Sequence, residues 1–198
     1  MNNKNELIAV ATKEAIFKNI EYQEGIISFN IDIIHNIKRY YIEYKRDLAE
    51  INYNYKQIIS YIVFMHNNAI FLMERGSYSS EQKLKNKFSL GIGGHLNKED
   101  LEKDILLWGM REFNEEVNYT DDFKIEAIAI INDESNDIGK LHIGIVYIIN
   151  GTSNNITIKS ELKSGKLIPF EECLHYYDRL EPWSQLVINC IKNREIKI

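Results

Sequence analysis

Residues Gly91 to Tyr119 read GIGGHLNKEDLEKDILLWGMREFNEEVNY, a glycine-dense turn set just ahead of a helical pattern that carries Glu112, Glu115 and Glu116. At 100° per residue, with Glu112 at zero, Glu116 falls near roughly +40° and Glu115 near roughly −60°, so the three carboxylates share an arc of about 100°. Like charges so spaced repel, and they cost stability in water unless a cation sits between them. The ordinary alternative is a solvated acidic face, the fate of most glutamates on amphipathic helices. Leu106, Met110, Phe113 and Val117 form a separate apolar stripe beside the acids. Leu101, Ile105 and Trp108 project to the acidic side, so one helix through this whole region would be buried along its length with its carboxylates facing a cleft.

Arg111-Glu112-Phe113-Asn114-Glu115-Glu116-Val117, preceded by glycines, resembles the box of the Nudix hydrolases, Arg-Glu-apolar-any-Glu-Glu-any-Gly-apolar. Asn118 stands where that pattern has its glycine, and Tyr119 fills the last apolar position. Asparagine is the usual substitute where a left-handed residue ends a helix, so a C-cap at Asn118 is expected. Lys103 stands where the family has a glutamate, and Gly94 lies further from Arg111 than in the pattern, as a short loop insertion would make it. Glu102 falls nearly opposite Arg111 on a continuous helix and Glu99 belongs to the loop, so neither replaces the missing glutamate.

The resemblance implies an α/β fold, an α/β/α sandwich around a mixed sheet, over about residues 57 to 195. It implies hydrolysis of a phosphoanhydride, typically in a nucleoside diphosphate linked to another group, with Mg2+ or Mn2+ held by the box helix. Carboxylate oxygens suit that ion, which keeps waters and is completed by substrate phosphates. Glu112 and Glu116 are the expected direct ligands, Glu115 a ligand or the neighbour of one with a catalytic part, and Arg111 the residue that orients a glutamate on the same helix. Gly93 and Gly94 permit close approach of backbone to substrate or metal. The base that activates water often comes from a downstream loop in this family, which makes Glu161 the first candidate, with Asp133, Glu134 and Asp137 behind it. Arg75, Lys83, Lys85 and Lys87 ahead of the glycine turn are candidates for substrate phosphates, and His95 reads as a polar loop residue. The departures at Lys103 and Asn118 keep a second reading open, a non-catalytic module that binds a nucleotide as a sensor or regulator.

Composition agrees with an enzyme of this size. The chain has 198 residues, a net charge of −5 with acids and bases intermingled, and two cysteines, Cys173 and Cys190, without metal-site spacing. No basic face marks a nucleic-acid polymer as partner, so the expected partner is a small nucleotide-type molecule. No apolar run is long enough for a membrane span and the first residues lack the core of a secretory signal, so a cytoplasmic location is expected. Oligomeric state stays open, with a homodimer through the N-terminal region one arrangement.

The rest of the pattern divides near residue 55. Residues 1–55 read as an N-terminal α/β extension, with short strands at Leu7–Ala11 and Ile26–Phe29 and an amphipathic helix from Asp32 to Glu50 carrying Ile34, Ile37, Tyr41, Tyr44 and Leu48. Residues 56–198 read as the main domain. Gln57–Met65 and Ala69–Met73 flank His66-Asn67-Asn68 as a hairpin, and Phe88–Leu90 leads a strand into the glycine turn. Strands at Ile125–Ile131 and Leu141–Ile149, a last strand running to Pro169 and a docked helix with Trp183, Leu186, Val187, Cys190 and Ile191 complete the expectation.

Overall fold

The computed structural model describes residues 6–75, 87–159 and 162–193, the side chains of residues 75, 162 and 163 excepted. The chain begins with β1 (Leu7–Thr12), α1 (Lys13–Ile16), β2 (Gly25–Ser28), α2 (Ile31–Tyr40), β3 (Ile42–Lys45) and α3 (Arg46–Ala49). Then come β4 (Tyr55–His66), β5 (Ala69–Arg75), β6 (Phe88–Ser89), β7 (Gly91–Ile92) and α4 (Lys98–Leu101). A 3-10 turn over Ile105–Leu107 precedes α5 (Met110–Glu116), β8 (Val117–Asn118) and β9 (Phe123–Asn132). Last are α6 (Asp137–Leu141), β10 (His142–Gly151), β11 (Thr157–Ile158), β12 (Leu162–Pro169), α7 (Phe170–Cys173) and α8 (Pro182–Lys192).

Among the described residues, a 10-stranded mixed sheet has the central order β12-β5-β4-β10-β9-β2. Its core is the parallel pair β4 and β10, in register from Gln57↔His142 to Met65↔Asn150. Both strands are β-branched and aromatic runs buried on both faces, which is what a strand covered by helices on either side requires. On one face Ile58, Ile62, Phe64, Tyr147 and Ile149 pack with Ile33, Ile37 and Phe113 of α2 and α5. On the other, Tyr61, Val63, Val146 and Ile148 pack with Cys173, Val187, Ile188 and Ile191 of α7 and α8. The α/β/α sandwich is therefore as expected. β1 pairs with β4 and β2 with β9, so strands from the first 55 residues join the same sheet. No helix among the described residues is long and apolar enough to cross a membrane.

The turn between β4 and β5 has Asn67 and Asn68 both at positive φ, 47° and 61°, the mirror-image turn whose twist matches a hairpin. Three local expectations are corrected. The helix expected over Asp32–Glu50 stops at Tyr40, because Tyr41 turns extended and Ile42–Lys45 pairs with β1; there β-branched and aromatic side chains gain more from a strand than from helix. The box helix is seven residues long, not one continuous helix from Leu101, since α4 ends at Leu101 and Asp104 caps the separate 3-10 turn by accepting from Leu106 N at 3.0 Å. Asn118 is not a left-handed cap: Val117 leaves the helix extended, at φ −130° and ψ 156°, and Asn118 pairs with Thr157. The open carbonyls at that helix end are met by Lys159, whose N donates to Glu116 O at 2.7 Å and whose ammonium donates to Asn114 O.

Candidate active site

Phe113 anchors α5 to the sheet by stacking on Phe64, with centroids 6.4 Å apart, and Tyr119 meets Phe64 edge-on at 4.8 Å. This fixes the acidic side of the helix against the glycine turn. A Cβ on Gly94 would stand 2.5 Å from Glu112 Oε2, and one on Gly93 only 1.9 Å from the Ser60 carbonyl oxygen. Glycine is therefore required at Gly93, where the obstacle is backbone, while at Gly94 a side chain would displace the Glu112 carboxylate. Ser60 N donates to Gly94 O at 3.0 Å, which ties the turn to β4 and engages the carbonyl that was a candidate to face substrate or metal.

Arg111 is the hub. Its Nε and Nη2 donate to Asp100 Oδ2 at 3.2 and 3.0 Å, and Nη2 also donates to His95 O at 2.8 Å. Its Nη1 lies 2.7 Å from Glu112 Oε1 and 3.5 Å from Glu115 Oε2. Burial works against its charge, but the Asp100 hydrogen bonds and the two glutamates outweigh that and raise its pKa further. Glu112 keeps 15% of its side chain exposed; burial, aided by repulsion from Glu115 and only partly offset by Arg111, pushes its carboxyl above the usual range. Glu115 is exposed and Glu116 half-buried.

Sequence reasoning missed Asp100. It is completely buried and closes a capping box with Asn97, the Asn97 side chain accepting from Asp100 N at 3.0 Å and Asp100 Oδ2 accepting from Asn97 N at 3.2 Å. Lys103, which occupies the family's glutamate position, lies 3.5 Å from the same carboxylate. The support for Arg111 has thus moved to an aspartate in the first turn of α4, the short helix ahead of the box. The Asn97-x-x-Asp100 spacing before apolar Leu101 was the available signal.

The other candidates divide. Asp133 accepts from Ser135 N, Ser135 Oγ and Asn136 Nδ2 at 2.9, 2.6 and 2.7 Å, which builds the turn into α6. Glu134 lies 2.8 Å from buried Lys56 and 3.3 Å from Lys13. Burial alone would raise Glu134, but the two lysines hold it low, whereas burial lowers Lys56. Asp137 is exposed at the first turn of α6. Lys87 is half-buried, and no ion pair joins it to the box glutamates among the described residues. Glu161, Lys83, Lys85 and the Arg75 side chain lie outside the described residues. His95 is no loop-surface residue: it is buried and its Nε2 lies 2.7 Å from Gln57 Oε1.

Among the described residues, no group of three or more His, Cys, Asp and Glu side chains is gathered as a metal site. The expected convergence of Glu112, Glu115 and Glu116 on one point is thus not seen; the Arg111 guanidinium stands between the first two. In kind and charge the donor set still fits a hard divalent cation. Asp100, Glu112 and Glu115 set three carboxylates around one guanidinium with Glu116 the next residue on α5, and Glu112 is held uncomfortably as an anion by burial.

No protein-family model matches the sequence. Protein YmaB of Bacillus subtilis (strain 168) is 33% identical over 208 residues, covering 97% of this chain and 100% of YmaB. The crystal structure of Tm1382, a candidate Nudix hydrolase, superposes with a TM-score of 0.77 at 26% identity, over 95% of this chain and 99% of Tm1382. The chain belongs to the same family as YmaB, and its fold is the Nudix fold. A third Nudix-fold likeness is a bifunctional NMN adenylyltransferase/ADP ribose pyrophosphatase from Francisella tularensis, complexed with AMP and a Mn ion. It gives a TM-score of 0.51 at 18% identity over 70% of this chain and 41% of that one. The Nudix fold makes a Nudix-type hydrolase the coarse reading of the site.

Proposed function

We propose that the chain is a Nudix-type pyrophosphohydrolase that uses Mg2+ or Mn2+ to cleave the diphosphate of a nucleoside diphosphate linked to another group. The observation that carries this reading is the Glu112 carboxylate pressed against Gly94 and paired to an Arg111 that is itself clamped by Asp100. A rigid, partly desolvated cluster of acids at a glycine turn is an arrangement suited to receive a cation and a polyphosphate together.

Glu112, Glu115 and Glu116 are the residues that would hold the ion. When bound, it would neutralise the diphosphate and lower the pKa of water. In the reaction a water oxygen bonds to phosphorus while the bridging P–O bond breaks, giving two phosphorylated products. Arg111 fixes the Glu112 rotamer and tempers repulsion between Glu112 and Glu115, and the Gly93-Gly94 backbone lets phosphate approach without a side chain in the way. Glu115 is the box acid with the freest access to water, and Glu161 is proposed as base from the downstream loop. Arg75 and Lys87 are proposed to meet substrate phosphates, and the partner is a small nucleotide-type molecule. The first 55 residues are proposed to act as an extension of the hydrolase domain.

The placement of Arg111 Nη1 between Glu112 and Glu115 favours one second reading, a nucleotide-binding module without turnover, because the guanidinium already balances two of the acids. Incubation with ADP-ribose, a dinucleoside polyphosphate, a nucleotide sugar and a nucleoside triphosphate, each with Mg2+ or Mn2+, separates the two. Release of phosphorylated products supports the hydrolase, and tight binding without products supports the module.

A further inference from the structure

The N-terminal segment does more than flank the sheet. β1 pairs with β4 only at Val10↔Gln57, Ala11↔Lys56 and Thr12↔Tyr55. Beyond that point the turn residues take over the β4 edge, with Leu96 N donating to Ile58 O at 2.9 Å and Ser60 N to Gly94 O at 3.0 Å. β1 is displaced outward and attaches to the turn instead, through Ala9 N to Leu96 O at 2.7 Å. Both segments run antiparallel to β4 and join at Ala9 and Leu96, with Glu6 three residues back from that junction. This carries Glu6 to the turn that presses on Glu112, and Glu6 adds to the charge that disfavours the Glu112 anion.

Glu6 arrives with a cation. Arg46, at the start of α3, donates its backbone N to Glu6 O at 3.0 Å, and its Nη1 meets Glu6 Oε2 at 2.9 Å. Its Nε is buried and makes no hydrogen bond, with Glu50 Oε1 in ion-pair contact at 3.4 Å, while 24% of the side chain stays exposed. Arg111 is fully engaged with Asp100, His95, Glu112 and Glu115, whereas Arg46, which acts electrostatically on His95 of the same turn, has its buried Nε turned to Glu50 but keeps an Nη2 that makes no hydrogen bond among the described residues and is not buried. YmaB and Tm1382 match over 97% and 95% of this chain, whereas the Francisella structure covers 70% of it.

We infer that the N-terminal segment forms one wall of the substrate site and that Arg46 is a substrate-binding residue, its guanidinium contacting an anionic oxygen of the phosphate-containing ligand. The inference rests on the hydrolase reading for the site and extends it to a residue outside the box. A planar fork with a spare N–H suits a phosphate oxygen, and Glu6 keeps the fork oriented.

Arg46→Met abolishes the 2.9 Å pair, whereas Glu6→Gln removes its charge but leaves an amide oxygen to accept from Nη1, which separates the guanidinium from the acid beside it. Calorimetry and steady-state hydrolysis are run with ADP-ribose, ATP and inorganic pyrophosphate in Mg2+. A substrate contact gives Arg46→Met a Kd and KM raised by about tenfold or more, as loss of a charge-assisted hydrogen bond does, while Glu6→Gln leaves both within about twofold. Equal effects in the two variants, or an unchanged Kd and KM in Arg46→Met, would overturn the inference in favour of a brace. If Arg46→Met does not fold, Arg46→Lys serves: it keeps the charge but loses the fork, and an unchanged Kd and KM again overturns it. Wild-type protein that binds a probe without hydrolysing it refutes the hydrolase reading alone, since the Kd comparison still decides Arg46. Wild-type protein that binds none of the three overturns both.

Discussion

Arg111 and Asp100 are joined by two hydrogen bonds, at 3.2 and 3.0 Å, to one carboxylate oxygen of an aspartate that is completely buried. That oxygen also accepts from Asn97 N, so one atom couples the loop cap to the box arginine. Asp100→Ala should cost about 2–3 kcal/mol, somewhat less than a fully buried pair because Arg111 keeps 28% of its side chain exposed. Urea unfolding checks it, and Asp100→Glu should recover little, because the longer side chain cannot keep the capping geometry.

The two glycines of the turn should fail differently. On Gly93 a new methyl meets the Ser60 backbone, which cannot step aside, so Gly93→Ala should destabilise by about 1–3 kcal/mol. On Gly94 it meets only the mobile end of Glu112, so Gly94→Ala should fold normally and lose activity as the carboxylate is displaced. Thermal melts beside turnover distinguish the two, and equal stability losses would contradict this.

Much of this was legible in the sequence. The runs at 57–65, 125–131 and 141–149 are rich in β-branched residues and 69–73 follows the first across an Asn-Asn turn, so the strands could be read directly, and the box acids with their glycine turn pointed to the fold. What was not legible depends on tertiary partners. Tyr44 and Leu48 keep helical spacing with Ile37, yet β1 offers Ile42–Lys45 a strand ladder that ends α2 at Tyr40. Local pattern cannot see a partner thirty residues away. The Asp100 clamp was hidden because helical phase was extrapolated through a segment that breaks twice, and Glu6 with Arg46 because forty residues separate a pair that only the sheet unites.

Glu112 should be a stability liability. Its folded pKa is raised, so the folded chain holds a proton that the unfolded chain releases, and stability falls as the pH rises through and above the ordinary carboxylate range. Glu112→Gln should therefore raise Tm at pH 7, by about 2–4 °C for each kcal/mol recovered, with the gain shrinking toward pH 4. Differential scanning calorimetry at both pH values measures the difference.

Acid should attack the buried histidines. Burial lowers His142 from 6.5 to about 4 and pulls His95 down as well. Because the folded chain refuses a proton that the unfolded chain accepts, their contribution is complete above about 6.5 and is lost as the pH falls toward 4, on the order of 3 kcal/mol for His142. His142→Gln should flatten the dependence of stability on pH between 6.5 and 4.

The most direct test is turnover of Glu116→Gln, with Mg2+, on whichever diphosphate the wild-type protein hydrolyses. Removing one carboxylate ligand should lower kcat by at least about 100-fold while circular dichroism and Tm stay close to wild type. Wild-type turnover in a folded Glu116→Gln protein would contradict a reaction run by the acids of this helix.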